Sequence, residues 1–386
     1  MKICVITGTR AEYGLLCPFM KLVEADPESE LQLLVTGMHL SADFGETWKV
    51  IEADGFQIDA KVETLLATDT ATGVGKSTAL GLLGCVTELE RLSPDWVVVL
   101  GDRYEIFAAV SACVFLMIPV AHFHGGETTE GAFDEYFRHS ITKMSHLHFT
   151  ATDDYRRRVI QLGEQPERVF ALGAPGLDAI AEIDLLDLKS FEQAIDFQLA
   201  SRNALVTYHP ETLDESNPLA QFEEILAALD EFPDLGVIFT YPNSDTGGKA
   251  LIVKLEQYLT ENRQRMCGHV SLGQLRYYSA LQHVDVVIGN SSSGLIEAPV
   301  FNTPTVNVGG RQRGRSRGAS VIDCATERQA VVAAIDQALT EEFCVIVKAS
   351  KNPYGKKGAS GEALAILKKA DRTGIVVKKF YDIQSR

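Results

Sequence analysis

The chain has 386 residues, 46% hydrophobic and 23% charged, the balance of a soluble globular protein and more sequence than one ordinary core needs. Its 36 Lys and Arg against 52 Asp and Glu give a formal net charge of −16. That argues against a nucleic-acid binder, which carries a basic footprint, but not against an anionic substrate, since a few arginines and helix N-termini suffice for a phosphate.

In chain order, short Val- and Ile-rich runs alternate with longer amphipathic segments. The first half offers "KICVITG", "LQLLVTG", "DWVVVLGD", "PVAHFHG", "HLHFTAT" and "RVFALG". Runs as continuous as "WVVVLG" predict strands buried on both faces, as in a parallel sheet covered by helices. The alternation pauses at "EIDLLDLKSFEQAIDFQLASRN", a charged connector with helical character. It resumes with "ALVTYHP", "LGVIFTYP", "HVSLG", "VDVVIGN", "TPTVNVGG" and "SVIDC". The pattern predicts an α/β protein with two doubly wound, Rossmann-like domains facing a cleft, residues 1–182 and 183–366, and a helical tail 367–386 packing back across their junction. Seven scattered cysteines, odd in number and without a CxxC pair, read as reduced core thiols. No signal peptide opens the chain and no apolar stretch reaches membrane-span length, so a cytoplasmic protein with no membrane partner is expected.

Ligands of open α/β sheets bind at the carboxyl ends of strands, and nearly every such end here is polar. "GTRAEYG" (8–14) offers Arg10 and backbone N–H groups to a phosphate, or forms a plain turn. "TGVGKST" (72–78) lacks the first glycine of a Walker A loop, Thr70 standing in its place, and is expected to be a loop leading into a helix. In "VVVLGDRYE", Asp102 either faces a substrate, with Arg103 orienting it or binding, or caps the next helix. "GNSSSGLIEAP" (289–299) ends a buried strand in small and hydroxyl residues, which suits a diphosphate. A capping box is the alternative for its Ser–Glu pairing. "YHPET" adds His209, and "GGRQRGRSRGAS" adds Arg311, Arg313, Arg315 and Arg317 as candidate phosphate contacts. The stretch "HFHGGETTEGAFDEYFRH" (122–139) holds His122, His124, Glu127 and Asp134. His122 and His124 would share one face of a strand, as a zinc site requires, but the neighbouring acids favour proton transfer, with no metal and no cofactor.

Together, "GTRAEYG", "TGMHLS", "LGDRYE", "HGGE", "DEYFRHSITKMSH", "HPET", "GNSSSGLIEAP", "GGRQRGRSRGASVID" and "NPYG" resemble, over nearly the whole chain, the UDP-N-acetylglucosamine 2-epimerase family. "GDR", "FRHSITK" and the arginine-rich region resemble its hydrolysing branch. The resemblance implies a fold like that of GT-B glycosyltransferases, with the nucleotide held mainly by the second domain, and a homo-oligomer, dimer or tetramer. It implies loss of UDP from C1 with loss of the C2 proton, then addition of water to a 2-acetamidoglucal and return of a proton to the opposite face. The products would be UDP and N-acetylmannosamine, for sialic-acid-type synthesis. Asp102 and Asp134 match the acid/base positions, and His209 a histidine near the diphosphate. Arg10, Arg103, Asn290, Ser291, Ser292, Ser293, Gly294, Glu297 and Arg311 fall in the UDP-sugar site. Where many relatives read "HIEGGE", with a catalytic glutamate, this chain reads "HFHGGE". Either His124 takes that role or Glu127 supplies the carboxylate. UDP-N,N′-diacetylbacillosamine is the rival substrate, because no motif reports the groups at C4 and C6. A non-hydrolysing epimerase, a GT-B glycosyltransferase and a nucleotide-sugar sensor are the other readings.

Overall fold

Parallel strands in two sheets account for the apolar runs. The computed structural model describes residues 1–66, 70–129, 134–210, 217–242, 248–355 and 357–383. The first sheet holds β1 (Lys2–Thr7), β2 (Glu30–Thr36), β3 (Ala60–Val62), β4 (Trp96–Leu100), β5 (Val120–Phe123), β6 (Leu147–Thr150) and β7 (Val169–Ala171), in the order β3-β2-β1-β4-β5-β6-β7. The second holds β8 (Arg202–Thr207), β9 (Leu235–Thr240), β10 (Met266–His269), β11 (Val286–Gly289), β12 (Thr305–Val308) and β13 (Val321–Cys324), in the order β10-β9-β8-β11-β12-β13. Each order reverses beside its first strand, between β1 and β4 and between β8 and β11. Those are the switch points where open sheets bind ligands.

Both faces of the first sheet are covered, so its central strands are apolar at most positions. Ile3, Val5, Val98 and Phe123 pack on one side beneath helix Arg10–Ala25. Cys4, Ile6, Val97 and Val99 pack on the other beneath helices Ala71–Leu92 and Tyr104–Leu116. The second sheet buries Val206, Val237, Ile288 and Val306 against helices Pro218–Leu229 and Arg328–Ala338. All seven cysteines are free, and burial pushes the Cys85 thiol up to about 12. Among the described residues no helix is long and apolar enough to cross a membrane.

Several elements differ from expectation. β3 is three residues of alternating pattern, too short to stand out in the sequence. The run "HVSLG" contributes only its first residue to β10. "TGVGKST" lies inside helix Ala71–Leu92, whose N-cap is Thr70 accepting from Gly73 N, so it is no loop at all. The chain also divides elsewhere: one compact unit is Met1–Glu127, Phe133–Ala181 and Tyr354–Arg386, and the other is Thr128–Ala132 and Glu182–Pro353. Residues 354–366 thus belong with the first sheet, because helix Ala359–Lys369 sinks Ala363, Leu364 and Leu367 into that core. The expected tail helix at 367–386 ends at Lys369. Beyond it the chain is pinned to the same unit by Arg372–Asp95, by Lys378 Nζ to Glu164 at 2.8 Å, and by Tyr381 N to Gly163 O at 2.9 Å.

Candidate active site

The loops at the ends of β1, β2, β4 and β5 converge within the first unit. Thr9 caps helix Arg10–Ala25 by accepting from Glu12 N, and Glu12 Oε2 reaches back to accept from Gly8 N at 2.8 Å. This near relative of a capping box buries a carboxyl at the helix start. Burial raises Glu12 to about 7, with Arg103 opposing and Glu105 reinforcing. Arg103 donates from Nε and Nη2 to the buried Glu105, both at 3.3 Å. Burial would depress the guanidinium, but the charges of Glu105, Glu12 and Asp134 leave it raised and firmly cationic. From the β2 end, His39 Nε2 bonds Thr7 Oγ1 at 3.0 Å and Nδ1 bonds Thr47 Oγ1 at 2.7 Å. Burial lowers it to about 4, so it is a neutral brace. Arg10 is the first, exposed residue of its helix.

Asp102 does not cap helix Tyr104–Leu116: the N-cap is Arg103, which makes no capping bond. Its Oδ2 instead accepts from Nη2 of Arg138, a guanidinium only 2% exposed. Arg138 Nη1 also donates to Glu135 Oε2 and to the Glu127 carbonyl, each at 3.1 Å. A buried guanidinium requires such counter-charge. Asp134 starts helix Asp134–Met144, half-buried.

The paired-ring geometry of "HFH" does not form. His122 is within β5, but β5 ends at Phe123 and His124 turns to φ 63°, which breaks the strand alternation. His122 bonds Gly101 O at 2.7 Å and Thr142 Oγ1 at 3.2 Å, and full burial lowers it to about 3. His124 Nδ1 bonds Glu127 Oε1 at 2.5 Å, both residues buried, while His124 Nε2 has no partner among the described residues. With Glu127 accepting from Nδ1–H, Nε2 is the ring nitrogen left to accept a hydrogen bond. The two glycines between them are required by packing. A Cβ on Gly126, at φ 79°, would enter the Tyr155 carbonyl, and one on Gly125 would stand 3.0 Å from Thr142 Oγ1. Among the described residues no group of three His, Cys, Asp or Glu is placed to hold a metal ion.

The second unit gathers a different set at the ends of β8 and β11. Asn290 and His209 are locked main chain to side chain: His209 N donates to Asn290 Oδ1, and Asn290 Nδ2 to His209 O, both at 2.8 Å. Burial, then the Arg311 charge, lowers His209 to about 3, so it is a neutral imidazole. The Asn290 carbonyl accepts from Arg311 Nη1 at 3.3 Å and from buried Gln312 Nε2 at 2.7 Å. Ser291, Ser292 and Ser293 are half-buried on the turn that follows. Ser292 is the N-cap of a single helical turn, Ser293–Ile296, without a capping bond, and Glu297 ends that turn, so the capping-box alternative does not apply. The expected helix N-terminus is therefore only one turn long, and Gly294 makes room for Thr305, whose Cγ2 an added Cβ would meet at 2.6 Å. Buried Glu297 adds its charge to the effect of burial in raising the Tyr277 and Tyr278 hydroxyls. The four arginines do not converge. Arg317 pairs with Asp323, Arg315 Nε donates to Thr128 O at 3.4 Å, Arg313 is exposed, and only Arg311 joins His209. Residues 211–212 of "YHPET" lie outside the described residues.

Arg138, Glu105 and Glu12 are missing from the sequence-derived set. The Thr9-x-x-Glu12 spacing is a readable capping signature, but an arginine amid "DEYFRH" looks like one charge on a solvated helix face. Chemically, the first unit offers proton-exchanging acids and an imidazole, and the second a neutral histidine, hydroxyls and an arginine suited to an anion.

Residues 21–368 match the UDP-N-acetylglucosamine 2-epimerase family. The chain is 40% identical to the GDP/UDP-N,N′-diacetylbacillosamine 2-epimerase (hydrolyzing) of Campylobacter jejuni over 83% of this chain and 84% of that protein. It is 39% identical to the polysialic acid biosynthesis protein P7 of Escherichia coli, over 99% and 97%. Its fold is that of the Neisseria meningitidis UDP-GlcNAc 2-epimerase solved with UDP-GlcNAc, at a TM-score of 0.83 and 19% identity, covering 96% of this chain and all of that one. With GT-B-like parallel-sheet domains and a match spanning nearly its whole length, the chain belongs to the UDP-N-acetylglucosamine 2-epimerase family.

Proposed function

We propose that the chain is a hydrolysing 2-epimerase of a UDP-linked 2-acetamido sugar, and that UDP-N,N′-diacetylbacillosamine is its preferred substrate. The observation that carries the reaction class is the pairing of Asp102 with Arg138 and of His124 with Glu127 at neighbouring strand ends of one sheet. The similarity to the Campylobacter enzyme, at 40% identity, favours that substrate. The C1–O bond breaks with its electron pair leaving on UDP, and the C2 proton passes to a protein base, giving the C1–C2 double bond. Water then adds its oxygen to C1 and releases a proton, while C2 is protonated on its other face. Two faces require two groups. Asp102, a carboxylate against Arg138, suits proton removal, and His124 backed by Glu127 suits its return. Asp134 supplies negative charge as C1 becomes positive, and neutral His209 gives an N–H to the departing diphosphate, with Arg311 and the serine turn beside it.

UDP-N-acetylglucosamine is the second reading, favoured by the family match itself. Purified protein given UDP-N,N′-diacetylbacillosamine, its GDP-linked counterpart and UDP-N-acetylglucosamine separately decides between them. The first is expected to show the highest kcat/KM for nucleotide release. A higher value for UDP-N-acetylglucosamine overturns the substrate assignment and leaves the reaction class. A homo-oligomer belongs to the same proposal. Helix Tyr104–Leu116 has no charged residue after Glu105, yet leaves Val114 and Phe115 exposed, and the helix packed on it leaves Leu80 and Leu83 exposed. Exposed large apolar side chains on two packed helices of so acidic a chain suit contact with a second copy of itself.

A further inference from the structure

The geometry points to Arg138 as the positioning residue of the first unit's proton-transfer groups, an inference that rests on the function proposed above. Arg138 touches no reacting atom. It is 2% exposed and its guanidinium joins three separate segments: Asp102 after β4, the Glu127 carbonyl after β5, and Glu135 on its own helix. The fork is specific to arginine. Nη2 takes Asp102 Oδ2, while Nη1 is shared between Glu135 Oε2 and the Glu127 carbonyl. A lysine ammonium has the charge but not the planar spread that reaches all three.

Two consequences follow for Asp102. Its side chain remains 22% exposed, Oδ2 is clamped by Arg138, and no hydrogen bond to Oδ1 is formed by the described residues. The adjoining positive charge also favours the ionised form a base needs. Among the described residues, the charged and titratable groups near Asp102 include Arg138, Glu135 and Asp134 from helix Asp134–Met144, Arg103 in the chain next to it, His122 bonded to the Gly101 carbonyl, and Glu127 with His124. Arg103 is already committed to Glu105, and His122 is neutral, with its shift to about 3. Arg138 is thus the cation hydrogen-bonded to the Asp102 carboxylate, and the same side chain fixes the loop that carries the His124–Glu127 pair.

The test compares wild type, Arg138→Met and Arg138→Lys for kcat, KM, the pH dependence of kcat, UDP affinity and thermal unfolding. Arg138→Met is expected to lower kcat by about 100-fold, to move its acid limb to higher pH, and to change UDP affinity by less than about 3-fold. Arg138→Lys is expected to restore the position of the acid limb, because charge is retained, while recovering kcat only in part, because the fork is lost. It also serves if the methionine variant fails to fold. An unmoved acid limb in soluble Arg138→Met, or full recovery of kcat by lysine, overturns the positioning role. Wild-type protein that releases no nucleotide from any of the three sugars instead overturns the functional proposal beneath it. The two failures are therefore distinct.

Discussion

Asp102 and His209 illustrate opposite electrostatic solutions in one chain. Asp102 is an anion answered by a buried guanidinium, whereas His209 is stripped of charge by burial and by Arg311. Asp102→Asn should lower kcat by a factor of about 10² to 10⁴ while UDP still binds, and calorimetric titration of that variant with UDP checks the second half. For the pair proposed to stand in for the family's glutamate, His124→Gln should remove nearly all turnover and Glu127→Gln most of it, since glutamine still accepts from Nδ1–H but cannot steady an imidazolium. Steady-state kinetics of both variants would refute the pairing if His124→Gln remained fully active. His122 gives a stability prediction. Its folded value near 3 lies below the ordinary 6.5, so the unfolded chain binds the extra proton. Its contribution is complete above pH 6.5 and is lost as pH falls from 6.5 towards 3. Thermal unfolding across that range should show a shallower acid decline for His122→Asn, by up to about 1.4 kcal/mol per pH unit. Individual acids and histidines at strand ends stand out in sequence, although His122 and His39 are buried, neutral groups held by local hydrogen bonds. Arg138 does not stand out, because its meaning comes from Asp102, thirty-six positions away in the chain.

At the level of elements, strand ends position chemistry only where the backbone permits close approach. Gly289, at φ 133°, lets β11 turn into Asn290 against the Thr207 carbonyl, and any Cβ there meets that main chain directly. Gly289→Ala should cost about 2 kcal/mol or more and weaken UDP binding, because the Asn290–His209 lock follows at once. Chemical denaturation and UDP titration would check both, and unchanged values would separate the turn from the site. Apolar runs made most strands legible, since the central strands of each sheet are buried at nearly every position and period-2 alternation disappears. β3 was not, with three residues and one exposed lysine. The serine-rich turn was located by its composition, but its helix is a single turn, since Pro299 and the tighter 3-10 turn Ala298–Phe301 follow directly.

At the scale of the whole molecule, the chain finishes its first unit last. Helix Ala359–Lys369 and Ile375 complete a core begun by β1. A returning tail was expected from residue 367, but not its bounds or the sheet it joins, because periodicity reports that a helix is amphipathic, not which sheet it covers. Truncation after Gly358 should therefore destabilise the first unit and yield aggregating protein, whereas a soluble, cooperatively unfolding product would contradict that assignment. The exposure of Phe115 and Val114 predicts that, if the proposed oligomer forms there, Phe115→Lys shifts the molecule to a smaller species in light scattering, and an unchanged mass would place the oligomer contact elsewhere. The central claim is that this family member breaks the C1–O bond and remakes C2. Proton NMR of the protein with UDP-N,N′-diacetylbacillosamine in deuterated water tests it most directly. The account predicts UDP together with a free 2-epimerised sugar carrying deuterium at C2. A UDP-linked epimer, or a free sugar retaining its original C2 proton, would contradict it.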